Sequence, residues 1–157
     1  MVTLTEGKKA PAFSSVDQNG GKVSLAQFKG QKVVLYFYPE DNTPTCTEQA
    51  CNLRDNFSFL KKEGFAVLGV SPDEVTKHKK FETKFQLPFT LLADPDHTII
   101  EKYGVWGEKQ LYGRKYMGLL RTTFLIDEKG VIRKIFLKPK SKQHTEEILK
   151  AWKEIGN

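Results

Sequence analysis

Two cysteines, Cys46 and Cys51, are the residues of this chain whose type and spacing best suit chemistry. They are the only two in the 157-residue sequence, and both lie within residues 39–51, directly after an apolar run at residues 33–38. A buried strand that ends in a turn rich in Pro and Thr, and then opens a helical pattern, places Cys46 at or near a helix N-terminus. Unpaired backbone N–H groups and the positive end of the helix dipole stabilise an anion there. The sequence therefore predicts a nucleophilic thiolate at position 46.

Other cysteine chemistries fit the sequence less well. A zinc site needs more ligands than the sequence groups together, because the cysteines have no C-x-x-C partner pair and His78, His97 and His144 lie in separate segments. A thioredoxin-type disulfide oxidoreductase needs C-x-x-C, whereas four residues separate these two cysteines. A Cys–His–acid hydrolase leaves Cys51 without a role, although a distant histidine could fold back onto Cys46.

Composition sets the class of protein. A chain of 157 residues with 39% hydrophobic and 28% charged residues is typical of one soluble domain, here predicted to span residues 1–157. No stretch approaches the ~20 apolar residues of a membrane span, and residues 1–9 lack the apolar core of a signal peptide. We therefore expect a cytoplasmic protein without a membrane partner. Because disulfides rarely persist in a reducing compartment, the two cysteines are expected to be catalytic, redox-sensing or metal-binding.

The formal net charge of +6 does not indicate nucleic-acid binding. The lysines of residues 61–84 are interleaved with acidic residues, as on solvated helix faces, and no aromatic-spaced RNA motif or zinc-finger pattern is present. We expect no nucleic-acid partner.

Apolar runs and turn signals predict alternating strands and helices. Strands are predicted at residues 12–16, 22–25, 32–38, 65–70, 91–92, 120–126 and 131–137. Helices are predicted from Cys46 to near Gly64, from an N-cap at Ser71 to about Phe85, over 98–103 and over 142–155, with one helical turn at 24–28. Residues 94–97 are interpreted as a turn with a helix cap, and residues 110–118 as a polar loop. The first two strands are expected to form a hairpin that is an appendage. This order supports an α/β sandwich.

The spacing Pro39-x-x-x-Thr43-x-x-Cys46 after a strand resembles the active-site signature of peroxiredoxins, the cofactor-free thiol peroxidases. A second cysteine five positions on resembles the Q-type subfamily, also called bacterioferritin-comigratory proteins. The resemblance extends over most of the chain, through residues 52–55, 89–94, 103–107 and 121–127. It implies a thioredoxin-like fold, with a central mixed sheet flanked by helices and an N-terminal hairpin extension.

The resemblance also implies roles for five residues. Cys46 is the peroxidatic nucleophile, and Cys51 resolves its sulfenic acid as an intramolecular disulfide. Thr43 hydrogen-bonds the thiolate and the peroxide, the ring of Pro39 shields the thiolate from water, and Arg121 holds the developing negative charge. Outside this set, Glu48 is given no chemistry, and Gln49 is at most a hydrogen-bonding neighbour.

The function implied is reduction of hydrogen peroxide and organic hydroperoxides, with recycling by thioredoxin or a similar dithiol. Neither a cofactor nor a metal is expected, and the subfamily is typically monomeric. The alternative is a non-catalytic thioredoxin-like redox sensor or binding module that the same disulfide switches. Catalytic turnover distinguishes the two.

The spacing of the cysteines predicts a motion. Positions five apart in an α-helix have Cα atoms ~8.6 Å apart and point ~140° away from each other. A disulfide requires less than ~7 Å. If both cysteines are helical in the reduced form, residues 46–54 must therefore unwind before the sulfurs can bond.

Overall fold

A computed structural model describes residues 2–155 and builds them around a seven-stranded sheet. Its strands are β1 (Ser14–Val16), β2 (Lys22–Ser24), β3 (Lys32–Phe37), β4 (Phe65–Ser71), β5 (Thr90–Ala93), β8 (Thr122–Ile126) and β9 (Ile132–Phe136), and a separate pair is formed by β6 (Trp106–Leu111) and β7 (Arg114–Leu119). The helices are α1 (Pro44–Asp55), α2 (Phe57–Lys62), α3 (Val75–Phe85), α4 (Thr98–Lys102) and α5 (His144–Ile155), with 3₁₀ turns at Leu25–Phe28 and Ser141–Gln143. Within residues 2–155 no helix has the length and apolar character that crossing a membrane requires.

Strand β3 lies near the middle of the sheet, whose order is β2-β1-β5-β4-β3-β8-β9. It pairs in parallel with β4 and antiparallel with β8. Val34 and Tyr36 belong to a buried cluster that includes residues of α1, α2, α3 and α5, whereas Leu35 and Phe37 belong to a cluster that includes residues of α4. The sheet is thus mixed and carries helices on both faces, which confirms the predicted thioredoxin-like architecture.

The N-terminal hairpin extends the sheet and is not the appendage that we expected. Val16 of β1 pairs with Ala93 of β5. The side chain of Gln18, in the hairpin turn, accepts from the Leu91 N–H and donates to the Phe89 carbonyl. Because Gln18 satisfies backbone groups at the open edge of β5, the hairpin is fixed to the sheet by specific bonds.

The predicted helix from Cys46 to Gly64 is two helices, because the chain breaks at Asn56. The side-chain amide of Asn56 donates to the Asn52 carbonyl at 2.8 Å, and its backbone leaves the helical region at φ −112° and ψ 12°. A short polar side chain that binds the local backbone competes with the helical ladder. Helix α1, which carries both cysteines, therefore ends at Asp55.

The predicted N-cap of α3 was placed too early. Ser71 is the last residue of β4 and pairs with Ala93, while its hydroxyl donates to the Asp73 carboxylate at 2.8 Å. Helix α3 begins at Val75 with Glu74 as N-cap. The sheet ladder takes precedence over the local capping signal at Ser71.

Residues 110–118 were predicted to be a loop, but most of them belong to the β6–β7 hairpin. The connecting residues Tyr112 and Gly113 both have positive φ, 51° and 78°, as a tight two-residue hairpin turn requires. The strands have few buried residues, so the alternation by which a half-buried strand is recognised is weak here.

The turn at residues 94–97 agrees with prediction, since the Asp94 carboxylate accepts from the Ile99 and Ile100 N–H groups at the start of α4.

Substitution of Gly69 should test the packing of β4 against β3. A Cβ at this position would lie 2.9 Å from Cζ and Oη of Tyr36, whose ring is buried. Overpacking of this kind costs about 1–3 kcal/mol, so Gly69→Ala should lower the free energy of unfolding by about that amount in urea titrations. Gly21→Ala, where the nearest atoms lie at an ordinary 3.4 Å, is the control and should change it much less. Equal stability of the two variants would contradict the packing described.

Candidate active site

Cys46 is the third residue of α1 and is almost wholly buried, with 1% of its surface exposed. Thr43 is the N-cap and Pro44 the first helical residue. The first intrahelical bond runs from the Thr47 N–H to the Thr43 carbonyl at 2.8 Å. The N–H groups of Thr45 and Cys46 thus precede the helical ladder, as N–H groups of a first turn do. The predicted position at a helix N-terminus is confirmed.

The guanidinium of Arg121 donates from Nη2 to the Cys46 sulfur at 2.7 Å. This short contact joins residues 75 positions apart and results from strand register. Because Thr122 of β8 pairs with Phe37 of β3, Arg121 lies beside the carboxyl end of β3, from which the chain turns into α1. A fixed cation bonded to sulfur favours the thiolate over the thiol.

Gln49 is a hydrogen-bonding neighbour in the site, as the sequence allowed, and its partner is Arg121. It is fully buried, one turn beyond Cys46, and its side-chain oxygen accepts from Nη1 of Arg121 at 3.1 Å. The guanidinium is therefore held at two of its nitrogens. The amide nitrogen of Gln49 is buried without a hydrogen-bond partner among residues 2–155, and so leaves a donor available. Its distance of three positions from Cys46 in a predicted helix is the signal that could have revealed this role.

Thr43 and Pro39 lie in the turn between β3 and α1, and both are half-buried. The Thr43 hydroxyl donates to the Glu40 carbonyl at 3.0 Å. That bond uses the hydroxyl proton and leaves the oxygen lone pairs free to accept. The predicted bond from the Thr43 hydroxyl to the thiolate is therefore not formed in this structure. The Thr43 oxygen can still accept a hydrogen bond from a substrate O–H.

Cys51 lies in the same helix as Cys46, and both are free thiols. This confirms the prediction that the two cysteines are helical in the unbonded form, where regular geometry separates their Cα atoms by ~8.6 Å. Burial raises the pKa of the Cys51 thiol, opposed by the positive charge of Arg54 and assisted by the negative charge of Asp55. Cys51 is therefore less acidic than an ordinary cysteine thiol in this conformation.

A second cation lies near the site, on the hairpin that was predicted to be a loop. The pKa of Lys109 in β6 is lowered, first by burial and then by the positive charge of Arg121, while the charge of Cys46 opposes the shift. Its side chain passes over Gly118 of β7, where a Cβ would lie 3.1 Å from its Cδ. The hairpin thus contributes to the positive potential around the sulfur.

The three histidines have partners other than Cys46. The His97 ring packs at a tilt against that of Trp106, and His144 contacts Thr123 and Glu147. His78 contacts Asp41, and these two lie with Asp73 in a cluster whose ligand-type atoms fall within 4.8 Å of one another. This cluster was not foreseen from the sequence. Hydrogen bonds already occupy its atoms: Asp73 accepts from the Asp41 N–H and the Ser71 hydroxyl, and His78 Nε2 contacts the Leu92 carbonyl. We therefore describe it as a hydrogen-bonded network rather than a metal site.

Known proteins resemble the chain over most of its length. A model of the AhpC/TSA family matches residues 6–135. The peroxiredoxin Bcp of Escherichia coli (strain K12) is 48% identical over 154 residues, covering 98% of this chain and 99% of that protein. That of Bacillus subtilis (strain 168) is 42% identical and covers 99% of both. The solved bacterioferritin comigratory protein of Xanthomonas campestris, described with its alkyl peroxide reduction activity, matches with a TM-score of 0.85 and 30% identity over 92% of each chain.

Replacing Arg121 by lysine should slow the reaction of Cys46 with hydrogen peroxide. The ammonium keeps the charge but cannot present two fixed donors to the sulfur and to Gln49 at once. Removing one donor to a developing anion typically costs about 10²- to 10³-fold, so we expect a loss of at least about tenfold in the second-order rate constant, measured by stopped-flow.

Arg133→Lys is the matched control, since the contact of Arg133 with Asp127 is long, at 3.4 Å, and lies at the far end of the sheet. It should react at the wild-type rate. An Arg121→Lys protein that also reacts at that rate would refute the role given to the guanidinium.

Proposed function

The chain belongs to the AhpC/TSA family and is a thiol-dependent peroxidase, and from this premise we propose that Cys46 is its peroxidatic cysteine and Cys51 its resolving cysteine. The observation that carries the proposal is the 2.7 Å bond from Arg121 to the sulfur of a cysteine in the first turn of a helix. The second cysteine of the chain lies in that same helix. We further propose that the protein acts as a single-domain cytoplasmic monomer.

The first step is attack of the Cys46 thiolate on one oxygen of a hydroperoxide. An S–O bond forms and the O–O bond breaks, so the sulfur is oxidised by two electrons to a sulfenate, while the other oxygen takes the peroxide proton and leaves as water or an alcohol. A proton from water then converts the sulfenate to the sulfenic acid. The leaving oxygen develops negative charge. Arg121 and the orphan N–H groups at the start of α1 are donors suited to that charge.

Thr43 and Pro39 prepare the peroxide and the thiolate. Since the Thr43 hydroxyl proton is engaged with Glu40, its role in this proposal is to accept a hydrogen bond from the peroxide O–H, which orients the attacked oxygen toward Cys46. Pro39 has no N–H to offer, and its half-buried ring limits access of water to the sulfur. The positions of Thr43 and Pro39 in the turn before Cys46 support both roles.

Resolution follows when Cys51 condenses with the Cys46 sulfenic acid. The new S–S bond releases water, and a thioredoxin-type dithiol then reduces the disulfide. The sulfurs can meet only if the start of α1 unwinds. The unwinding should not spread far beyond Cys51, because the next residue is tethered: Asn52 donates to the Lys142 carbonyl at 2.9 Å and accepts from the Thr145 N–H at 2.8 Å.

Turnover separates this proposal from the redox-sensor alternative. The wild-type protein should consume NADPH in proportion to hydrogen peroxide through thioredoxin and its reductase, with many turnovers per protein. Cys46→Ser should abolish consumption, because a serine hydroxyl is almost wholly protonated at neutral pH and is a poor nucleophile toward peroxide. Cys51→Ala should react once with peroxide and then fail to recycle with thioredoxin.

Each variant contradicts a different part of the proposal. Cys46→Ser turnover above a few per cent of wild type would remove Cys46 from the reaction. Normal recycling by Cys51→Ala would show that another thiol resolves the sulfenic acid. A wild-type protein that forms the disulfide but does not turn over would support the sensor.

Amide hydrogen exchange should detect the unwinding. Opening residues 46–51 removes the carbonyl acceptors of amides 50–55, since each N–H of an α-helix binds the carbonyl four residues earlier. Within residues 46–54 we expect the amides of residues 47–54 to lose protection in the disulfide form relative to the reduced form, since the Cys46 N–H precedes the helical ladder. Helix α3 should be unchanged and acts as the internal control. Equal protection in a confirmed disulfide form would defeat the unwinding hypothesis.

A further inference from the structure

The turn that carries Pro39 and Thr43 is supported from one side by α3. Each of its three middle residues contacts a different side chain of that helix. The pairs are Glu40 with Lys77 at 2.7 Å, Asp41 with His78 at 2.6 Å, and Asn42 with Lys84 at 3.2 Å. The sequence indicated only a solvated helix face for these lysines, yet the face is directed at the catalytic turn.

The central pair differs from the other two in burial. The side chains of His78 and Asp41 are both fully buried, whereas Lys77 and Glu40 are 42% and 56% exposed. Exposed ion pairs contribute little and are screened by salt. A buried partner lost from a polar pair leaves the other group unsatisfied. The His78–Asp41 pair is therefore the contact on which the shape of the turn depends.

Every polar atom of this pair has a defined partner. His78 Nε2 lies 3.0 Å from the Leu92 carbonyl, which can only accept, so Nε2 carries a proton. Nδ1 shares one proton with the Asp41 carboxylate across 2.6 Å, and the other carboxylate oxygen accepts from the Tyr38 hydroxyl at 2.6 Å. Burial, followed by the neighbouring Tyr36 and the charge of Asp41, raises the pKa of Tyr38 well above its usual value, so the hydroxyl keeps the proton that it donates.

Asp41 lies at the middle of the turn, where the chain changes direction. It lies two residues after Pro39 and two before Thr43, and the next residue, Asn42, has the left-handed φ of 64°. The Asp41 N–H also donates to the Asp73 carboxylate at 2.7 Å. Fixing Asp41 through both its side chain and its backbone thus fixes how the chain enters α1.

We propose that His78 is a positioning residue of the peroxidase site: through Asp41 it holds the turn so that Thr43 and Cys46 face the peroxide together. The inference rests on the proposed function, because it concerns the reaction of Cys46. His78 touches no reacting atom. Its loss should impair a reaction that needs the thiolate and the Thr43 acceptor in register, and spare one that needs only the thiolate.

Two rates distinguish these requirements. Peroxide reduction is measured as the second-order rate constant of Cys46 oxidation by hydrogen peroxide. Alkylation is measured with iodoacetamide on the reduced protein, in which the thiolate displaces iodide from carbon and no peroxide is oriented; the modified Cys46 peptide is quantified by mass spectrometry. His78→Gln should lower the peroxide rate about 10- to 100-fold, the range expected for small misplacements, and leave alkylation within about twofold.

Two matched controls make the comparison specific. His144 is equally buried and equally bonded, to Glu147 at 2.7 Å and Thr123 at 2.9 Å, so His144→Gln should keep both rates. If His78→Gln does not fold, Tyr38→Phe carries the test, because it removes only the hydroxyl that binds Asp41. Its control is Tyr103→Phe, which removes a hydroxyl bonded to the Pro11 carbonyl.

The inference is overturned if folded His78→Gln and Tyr38→Phe proteins both react with peroxide within about twofold of wild type. It is also overturned if peroxide and alkylation rates fall in parallel, since that indicates general loosening of the site. Failure of the proposed function has a different signature, namely peroxidase turnover that survives Cys46→Ser.

Discussion

The bond between Arg121 and the Cys46 sulfur is the interaction on which the site depends. It connects the end of β8 with the first turn of α1, two elements that meet only because β8 pairs with β3 and α1 follows β3. The guanidinium is oriented in turn by Gln49, on the same face of α1 as Cys46. A charge-assisted bond of this kind, made to a cysteine with 1% of its surface exposed, is stronger than a bond between neutral groups.

In the proposed reaction cycle the same helix serves two opposed requirements. Reaction with peroxide needs the start of α1 intact, because the backbone donors and the alignment with Arg121 exist only in the helical form. Disulfide formation needs that segment open. The segment that opens is fixed at both of its ends. Asp41 is anchored before it by His78, and Asn52 is anchored after it by residues at and just before the start of α5. Between these anchors lie both cysteines, Cys46 in the first turn of α1 and Cys51 near the middle of that helix.

Most errors in the predicted elements arise where a local signal is overruled by a distant partner; the helix break at Asn56 differs, because its cause is a local bond to the Asn52 carbonyl. Ser71 has the type and spacing of an N-cap, but its pairing with Ala93 keeps it in β4. The hairpin at residues 14–24 is an edge of the sheet because Gln18 reaches the backbone of β5. The β6–β7 pair packs few residues into the core, so its sequence lacks the alternation that identifies a strand. The strand before Cys46 and the start of α1 had no such competition, and both were predicted within about two residues of their positions in the structure.

The sequence by itself determined the local structure of residues 33–51: a buried strand, a turn, and a cysteine at a helix start followed by a second cysteine too far along the helix to bond. These features depend on contacts within a few positions, which spacing and residue type specify. Tertiary structure alone decided that Arg121 reaches the sulfur, that Gln49 orients Arg121, and that His78 lies beneath Asp41, since those partners are 75, 72 and 37 positions apart. Such pairs are set by strand register and helix packing, which the pattern of apolar residues along one chain leaves open.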